Sequence, residues 1–344
     1  MTRWPDLLTA LLRGESLAED QTTWAMRQIM AGEASPAQVA GFVVALRAKG
    51  ESSEEVAGLA SVMLELAASV LLPEGLRAVD TCGTGGDRAN TVNISTMAAL
   101  VLAGCGAQVV KHGNRSASSL CGSADLLEEM GVAIDLPPAG VAACVAAGAP
   151  AFCFAPVFHP SMRHTAAPRR ELGVPTVFNV LGPLTNPARP AAQVVGVADG
   201  RLAAVMAGVF ARRGVDAIVV RGDDGLDELT TSTTSRAWWV RGQDVVERVV
   251  DPTVFGLQAG DLVGGDAAHN AKVCRDLLAG KPGPVRDAVL LNAAAGLVAW
   301  RPGQGSLDDQ LAEALTQGAI SIDEGDAAAA LDRWITSSQA ARSA

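Results

Sequence analysis

The residues with the clearest chemical potential lie between Asp80 and Ser123, in DTCGTGGDRANTVNISTMAALVLAGCGAQVVKHGNRSASSLCGS. Gly83, Gly85 and Gly86 let backbone N–H groups approach an anion closely, because no Cβ intervenes. Asn93, Ser95 and Thr96 add donors where a following helix would present unpaired N–H groups and the positive end of its dipole. One strand later, Lys111 and Arg115 bring full positive charge within Lys111-His-Gly-Asn-Arg-Ser-Ala-Ser-Ser119. A glycine turn leading into a capped helix would account for GTGGD alone, but a second donor-rich loop one βα step later points to phosphate binding. Two common phosphate motifs do not fit. A dinucleotide fingerprint starting at Gly83 would need glycine where Arg88 stands, and the Gly-Lys-Ser/Thr of a Walker A loop is absent here.

A second candidate is Asp227-Glu228, inside Gly222-Asp-Asp-Gly-Leu-Asp-Glu-Leu-Thr-Thr231 and after the apolar run Ala217–Arg221. Adjacent carboxylates past a strand end suit Mg²⁺, a hard cation that takes oxygen donors and keeps several waters. A solvated acidic turn is the competing reading, and on it the pair is exposed and contributes little to stability. Asp223 and Asp224 read as loop surface. None of the four histidines has the HExxH arrangement of a zinc hydrolase, and His164 and His269 read as structural. No Cys or Ser has the base-and-orienter context that activates a nucleophile, so covalent catalysis is not expected.

Positioning these residues requires alternating strands and helices. Arg77–Thr81 reads as a strand entering the glycine turn, Asn93 to Gly104 as a helix, and Ala107–Val110 as the next strand, a βαβ unit with ligands at the strand carboxyl ends. Ala133–Leu136, Ala151–Ala155, Gln193–Ala198 and Ala217–Arg221 read as further strands, with helices at Pro138–Gly148 and Arg201–Arg213 between them. Ser235–Arg241 and Val245–Val250 read as an antiparallel edge pair, and the chain from Asp266 as mostly amphipathic helix. The alternation predicts an α/β fold with a largely parallel sheet flanked by helices. Residues 1 to about 73 form a smaller all-helical unit. Ser16-Leu-Ala-Glu19 and Ser52-Ser-Glu-Glu55 match capping boxes, and Ser35-Pro36 gives a cap with proline at the first helical position. Between Pro168 and Pro190, prolines and a Gly-Pro pair suggest a fixed crossing rather than a free linker.

The 344 residues allow two domains and a large core. Aromatics are only 4% and tyrosine is absent, so alanine and small aliphatics do the packing. A formal charge of −10 argues against nonspecific nucleic-acid binding. The six cysteines show no CxxC spacing, and a reducing cytoplasm is expected. The N-terminus carries no signal-peptide pattern. Val141–Phe158 is uncharged, but Gly148, Pro150 and Pro156 divide it into helix, turn and strand, which rules out a membrane span.

GTGGD, NIST and KHGNRSASS, in this order and spacing, resemble the anthranilate phosphoribosyltransferases, which carry out the second step of tryptophan biosynthesis from chorismate. The resemblance runs from the N-terminal helices to about Trp300. It implies transfer of the phosphoribosyl group of phosphoribosyl pyrophosphate to the amine of anthranilate, with pyrophosphate released. It further implies phosphoribosyl-pyrophosphate binding by Gly83, Gly86, Asp87, Thr91, Asn93, Ser95, Thr96, Lys111, Ser119 and Ser123. Anthranilate would be held by Gly83, Asn114, His159, Arg169 and Gly182, with His112 a candidate proton acceptor. Ser95, Asp227 and Glu228 would hold Mg²⁺, as two ions with phosphoribosyl pyrophosphate. The resemblance also implies a homodimer through the helical domain, and a discontinuous division: residues 1–73 joined by about 166–190, against 76–165 and 191–344. Arg88, Ala89 and Cys121 depart from the family pattern. Two neighbouring classes are disfavoured. Pyrimidine nucleoside phosphorylases have a similar fold and a related glycine loop but recognise phosphate and a nucleoside, and the intact KHGNR and Asp-Glu motifs favour the transferase. Family-like nucleic-acid binders would have a degraded metal pair and a basic surface.

Overall fold

The computed structural model describes residues 2–116 and 119–343. Four helices open the chain: α1 (Trp4–Leu12), α2 (Glu19–Met30), α3 (Pro36–Lys49) and α4 (Ser53–Leu66). Then follow β1 (Ala78–Gly83), α5 (Ile94–Gly104), β2 (Gln108–Gly113), α6 (Ser123–Glu129), α7 (Pro138–Ala146) and β3 (Ala151–Phe154). Next come α8 (Ala155–Phe158), α9 (Ala166–Leu172), β4 (Ala192–Gly196), α10 (Gly200–Arg213) and β5 (Asp216–Gly222). The hairpin β6 (Ser235–Arg241) and β7 (Asp244–Val250) precedes α11 (Ala267–Leu278), α12 (Pro284–Trp300), α13 (Leu307–Asp323) and α14 (Asp326–Ser343).

The strands form one seven-stranded sheet in the order β3-β2-β1-β4-β5-β6-β7. The first five are parallel, while β6 and β7 run antiparallel to their neighbours. Chain order therefore reverses between β1 and β4, where crossovers depart to opposite sides and leave a crevice beyond the carboxyl ends of the strands. The glycine turn after β1 opens into that crevice. Thr84 N donates to Gly196 O (2.9 Å) and Ala198 N to Thr84 Oγ1 (3.1 Å), so the ends of β1 and β4 are tied together.

α3 and α4 start as their sequence signatures require. Ser35 and Ser52 accept from the backbone N–H groups of Gln38 and Glu55, whose side chains reach back to the cap residues. The Ser16 expectation fails. α2 begins only at Glu19, Gln21 Oε1 accepts from Ala18 N, and Leu17 N is taken by Glu55 Oε1 (2.9 Å) from α4. Glu19 N, the donor a Ser16 cap would have bound, goes instead to Glu54 Oε1 (3.4 Å), so a tertiary acceptor has displaced the local one.

Two further expectations are corrected. Ala133–Leu136 forms no strand; Ala133 N donates to Ser338 Oγ of α14 (3.0 Å) instead of to a neighbouring ladder. α12 is not amphipathic, since every residue from Ala288 to Trp300 is buried, and it packs between α5, α13 and the sheet. The four N-terminal helices share one apolar cluster with Val177, Phe178, Leu181 and Leu184 of the crossing passage and with α10. Short helices of this kind gain most of their stability from such burial. Among the described residues no helix is long and apolar enough to cross a membrane.

Candidate active site

The metal-pair candidates sit at the mouth of the crevice, held by backbone. Asp227 follows β5 in sequence yet returns to the ends of β1 and β4, where Gly85 N donates to Asp227 Oδ2 (2.7 Å). A Cβ on Gly83 would meet that same oxygen at 2.5 Å, and one on Gly196 would meet Asp227 O at 1.5 Å. Both strands thus need glycine where Asp227 passes. Glu228 is only 8% exposed, so the pair is not the exposed acidic turn considered from sequence. Burial, then the nearby Asp87 carboxylate, push Asp227 up to about 7. Burial and Asp227 push Glu228 well above the usual carboxylate range, while Lys111 opposes the shift. Asp227 and Glu228 supply oxygen donors of the kind a hard divalent cation takes, and among the described residues no third His, Cys, Asp or Glu side chain joins them closely enough to complete a protein-only cage.

The second loop's cations are committed to the protein. Lys111 is 1% exposed, and its Nζ donates to Thr81 O and to Ser95 Oγ (3.3 Å). Arg115 donates to Asp125 Oδ1 (2.8 Å) and Glu128 Oε2 (2.8 Å), so it offers no unpaired charge. Asp125 also accepts from the backbone N–H groups of Ser116 and Gly122, which folds the loop back on the start of α6. Asn114 stays exposed, its Oδ1 accepting from Arg115 N. Ser119 Oγ donates to Cys121 O (3.3 Å) and Ser123 Oγ to Asn114 O (3.3 Å). Ala117 and Ser118 of the motif lie outside the described residues.

At the start of α5, Ser95 is held by Thr81 Oγ1, which donates to its carbonyl (2.8 Å), and by Lys111 Nζ, which donates to its hydroxyl (3.3 Å). Thr96 is buried with its hydroxyl unpartnered. Asn93 Nδ2 donates to Cys121 O (3.0 Å) and Asn93 Oδ1 accepts from Asn270 Nδ2 (2.9 Å), linking the two loops through α11. Thr91 bridges Val263. Gly85 and Gly86 take positive φ of 65° and 91°, and so do Arg88 (63°) and Asn90 (50°). Arg88 therefore carries some left-handed strain that glycine would not.

The other wall is the crossing passage, and its carbonyls are held one after another by side chains from the α/β part. His112 Nδ1 bonds Gly182 O (3.0 Å), Gln193 Nε2 Pro183 O (3.2 Å), Arg213 Nη1 Leu184 O (2.6 Å) and His159 Nε2 Thr185 O (3.0 Å). Asn186 Nδ2 then donates to Asp80 Oδ2 (2.9 Å), a fully buried carboxylate that also accepts from His112 N. Because a carbonyl only accepts, His112 carries its proton on Nδ1, which leaves Nε2 a buried lone pair without partner. Burial pushes His112 down to about 3 and lowers His159 as well; the two rings meet edge to face at 5.2 Å. Arg169 stands in the last turn of α9 with its guanidinium 5.9 Å from the Phe178 ring, and among the described residues it has no carboxylate partner.

Models of a glycosyl transferase family match this chain twice, its helical bundle domain over residues 5–67 and its a/b domain over 75–328. An anthranilate phosphoribosyltransferase of Frankia alni is 58% identical over 364 residues, covering 100% of this chain and 99% of its own length. The chain belongs to the anthranilate phosphoribosyltransferase family. The crystal structure of the Thermus thermophilus member superposes with a TM-score of 0.89 at 41% identity, covering 97% of this chain and 99% of that one. The Saccharomyces cerevisiae member, in complex with PRPP and Mg, gives 0.87 at 28% identity, covering 98% of each chain. The yeast enzyme is also known in complex with 4-fluoroanthranilate.

Of the residues singled out from sequence, Gly83, Asp87, Ser95, Lys111, Asp227 and Glu228 converge at the crevice. His112, His159 and Gly182 meet at the crossing passage. Asp80, Asn186, Gln193, Gly196, Asn270 and Asn292 escaped the sequence reading. Asn292 alone left a signal, a single amide inside the apolar run Leu290–Trp300.

Proposed function

We propose that this chain transfers the phosphoribosyl group of phosphoribosyl pyrophosphate to the amine of anthranilate and releases pyrophosphate, the second step of tryptophan biosynthesis from chorismate. The observation that carries the reading is the meeting of the glycine turn, Ser95 and the buried Asp227-Glu228 pair at the strand-order reversal, opposite a crossing passage held by two neutral histidines. The yeast relative in complex with PRPP and Mg supports it. Gly83, Gly86, Asp87, Thr91, Asn93, Ser95, Thr96, Ser119 and Ser123 line the phosphoribosyl-pyrophosphate side. Lys111 acts from beneath, fixing Ser95 and offsetting the carboxylates.

Ser95, Asp227 and Glu228 are the ligands for Mg²⁺, two ions accompanying phosphoribosyl pyrophosphate. Bound there, Mg²⁺ supplies positive charge against the negative charge that grows on departing pyrophosphate. The glycine-turn amides oppose the same charge without reorganising. On the acceptor side, Arg169 takes the anthranilate carboxylate through paired hydrogen bonds, with Asn114, His159 and Gly182 shaping the site. The arylamine is neutral at pH 7, so orientation matters more than a strong base. His112 Nε2 receives the amine hydrogen. Its low basicity suffices, because the arylammonium formed on attack is itself strongly acidic.

The exposed Leu12 on α1 and Val44 on α3 support a homodimer through the helical unit, which light scattering at micromolar concentration would reject by returning a monomer mass. A reducing cytoplasm is the compartment this reading implies. The deciding assay follows loss of anthranilate fluorescence with and without phosphoribosyl pyrophosphate and Mg²⁺. Full activity after exhaustive chelation would overturn the metal role, and turnover of thymidine with phosphate in place of anthranilate would overturn the reaction.

A further inference from the structure

Asn292 lies in the middle of α12, among residues that are all buried and otherwise apolar from Ala288 to Trp300. An amide in such a place costs free energy unless its polar atoms find partners. Here they do: Oδ1 accepts from Leu229 N (2.9 Å), and Nδ2 donates to Leu229 O (2.9 Å) and to Ala288 O (2.9 Å). The side chain therefore pairs with both backbone groups of Leu229, as a neighbouring strand would. The rest of this buried stretch is apolar, so the helix itself does not call for the amide. What needs it is Leu229, which is fully buried beyond the last ladder partner of β5, so its N–H and C=O call for partners inside the protein.

Leu229 directly follows Asp227-Glu228. Ahead of the pair, Gly85 N–H holds the Asp227 carboxylate and Gly196 makes room for the Asp227 carbonyl. Behind it, Asn292 fixes Leu229 and Ser235 Oγ accepts from Thr230 N (3.0 Å). The two carboxylates are thus clamped from both sides in chain order. We propose that Asn292 is a positioning residue for the metal site, acting through the Leu229 backbone to keep Asp227 and Glu228 aimed at one point. The proposal rests on the reading of those two residues as metal ligands.

The test is Mn²⁺ binding to the full chain without added pyrophosphate, read from the free-Mn²⁺ electron paramagnetic resonance signal, alongside the Mg²⁺ dependence of turnover. Asn292→Leu keeps the branching and heavy-atom count, adds some methyl bulk, and removes all three hydrogen bonds. Half-saturating Mn²⁺ should rise about 10- to 100-fold, the scale for losing an outer-shell partner, and the anthranilate KM should stay near its parent value. A lowered melting temperature with an unaltered Mn²⁺ titration would show a structural role only and overturn the proposal. Asp227→Asn separates the two ideas: no loss of Mn²⁺ binding there defeats the metal reading itself. Loss in Asp227→Asn but none in a folded Asn292 variant defeats only the role of Asn292. Asn292→Thr is read if Asn292→Leu does not fold. In the unaltered, metal-free protein the Leu229 amide should exchange slowly with solvent, and fast exchange would overturn the clamp whatever the variants do.

Discussion

Replacing Gly196 with alanine tests whether the ends of β1 and β4 really set the position of Asp227. The added Cβ would lie 1.5 Å from Asp227 O and 2.4 Å from its carbonyl carbon, whereas real Cβ contacts essentially never fall under 3.0 Å. Something must therefore move by about 1.5 Å, the difference between the two distances. β4 cannot retreat, because Gly196 is paired with Gly83 on one side and Val220 on the other. The Asp227 backbone has to yield, and its carboxylate and that of Glu228 go with it. A misplacement of 1 Å can cost about 10²-fold in rate, so kcat/KM should fall at least that far and the Mg²⁺ demand should rise. Overpacking of this size costs about 1–3 kcal/mol, which a urea melt would register while a large core keeps the chain folded. Gly182→Ala is the comparator: its Cβ meets nothing within 4 Å, so its Mg²⁺ titration should match the parent. A Gly196→Ala enzyme with parental kcat/KM and Mg²⁺ dependence would refute the argument that glycine is required there to seat the metal pair.

Arg169→Ala should weaken anthranilate usage on the order of 10- to 150-fold, since a hydrogen bond to a charged group is worth about 1.5–3 kcal/mol. The apparent affinity for phosphoribosyl pyrophosphate should change much less, and the opposite pattern in steady-state kinetics would place Arg169 elsewhere. Burial holds His112 at about 3 in the folded chain, so below the ordinary histidine value the unfolded chain binds more protons and stability falls as pH falls. Between pH 7 and 5 this costs about 2 kcal/mol, and His159 adds in the same direction. The raised carboxyls of Asp80, Asp227 and Glu228 work oppositely, so the measurement is the difference in urea stability between parent and His112→Asn at the two pH values, and no difference would contradict the neutral buried ring. Asp80→Asn would set an amide against the donors of Asn186 and His112; it should cost about 1–3 kcal/mol and raise the anthranilate KM by loosening the crossing passage, whereas a variant unchanged in both would remove Asp80 from that role.

Much of the site was legible because its signals are local. Glycines at a strand end, donors at a helix start and adjacent carboxylates after another strand each carry their chemistry in a few neighbouring residues. The same holds for the caps of α3 and α4, where side chain and backbone partner lie three positions apart. Where a local signal met a tertiary competitor, the competitor prevailed. Ser16 offered a cap, yet Glu54 reached across from α4 to take Glu19 N and the helix began later. Ala133–Leu136 had the composition of a strand, yet α14 supplied its partner.

The sequence by itself determined the alternating α/β plan, the capped N-terminal helices and the residue types suited to phosphate and metal, because propensity, spacing and donor chemistry act within a turn or two of chain. Only the tertiary structure decided what those residues are free to do. It buried Lys111 and paired Arg115 with two carboxylates, so the loop's charge acts inward. It brought Asp227 back against Gly83 and Gly196, and it set four side chains on four successive carbonyls of the crossing passage. These arrangements join residues from ten to more than a hundred positions apart. No pattern along the chain records them, because they are settled by the packing of whole strands and helices against one another.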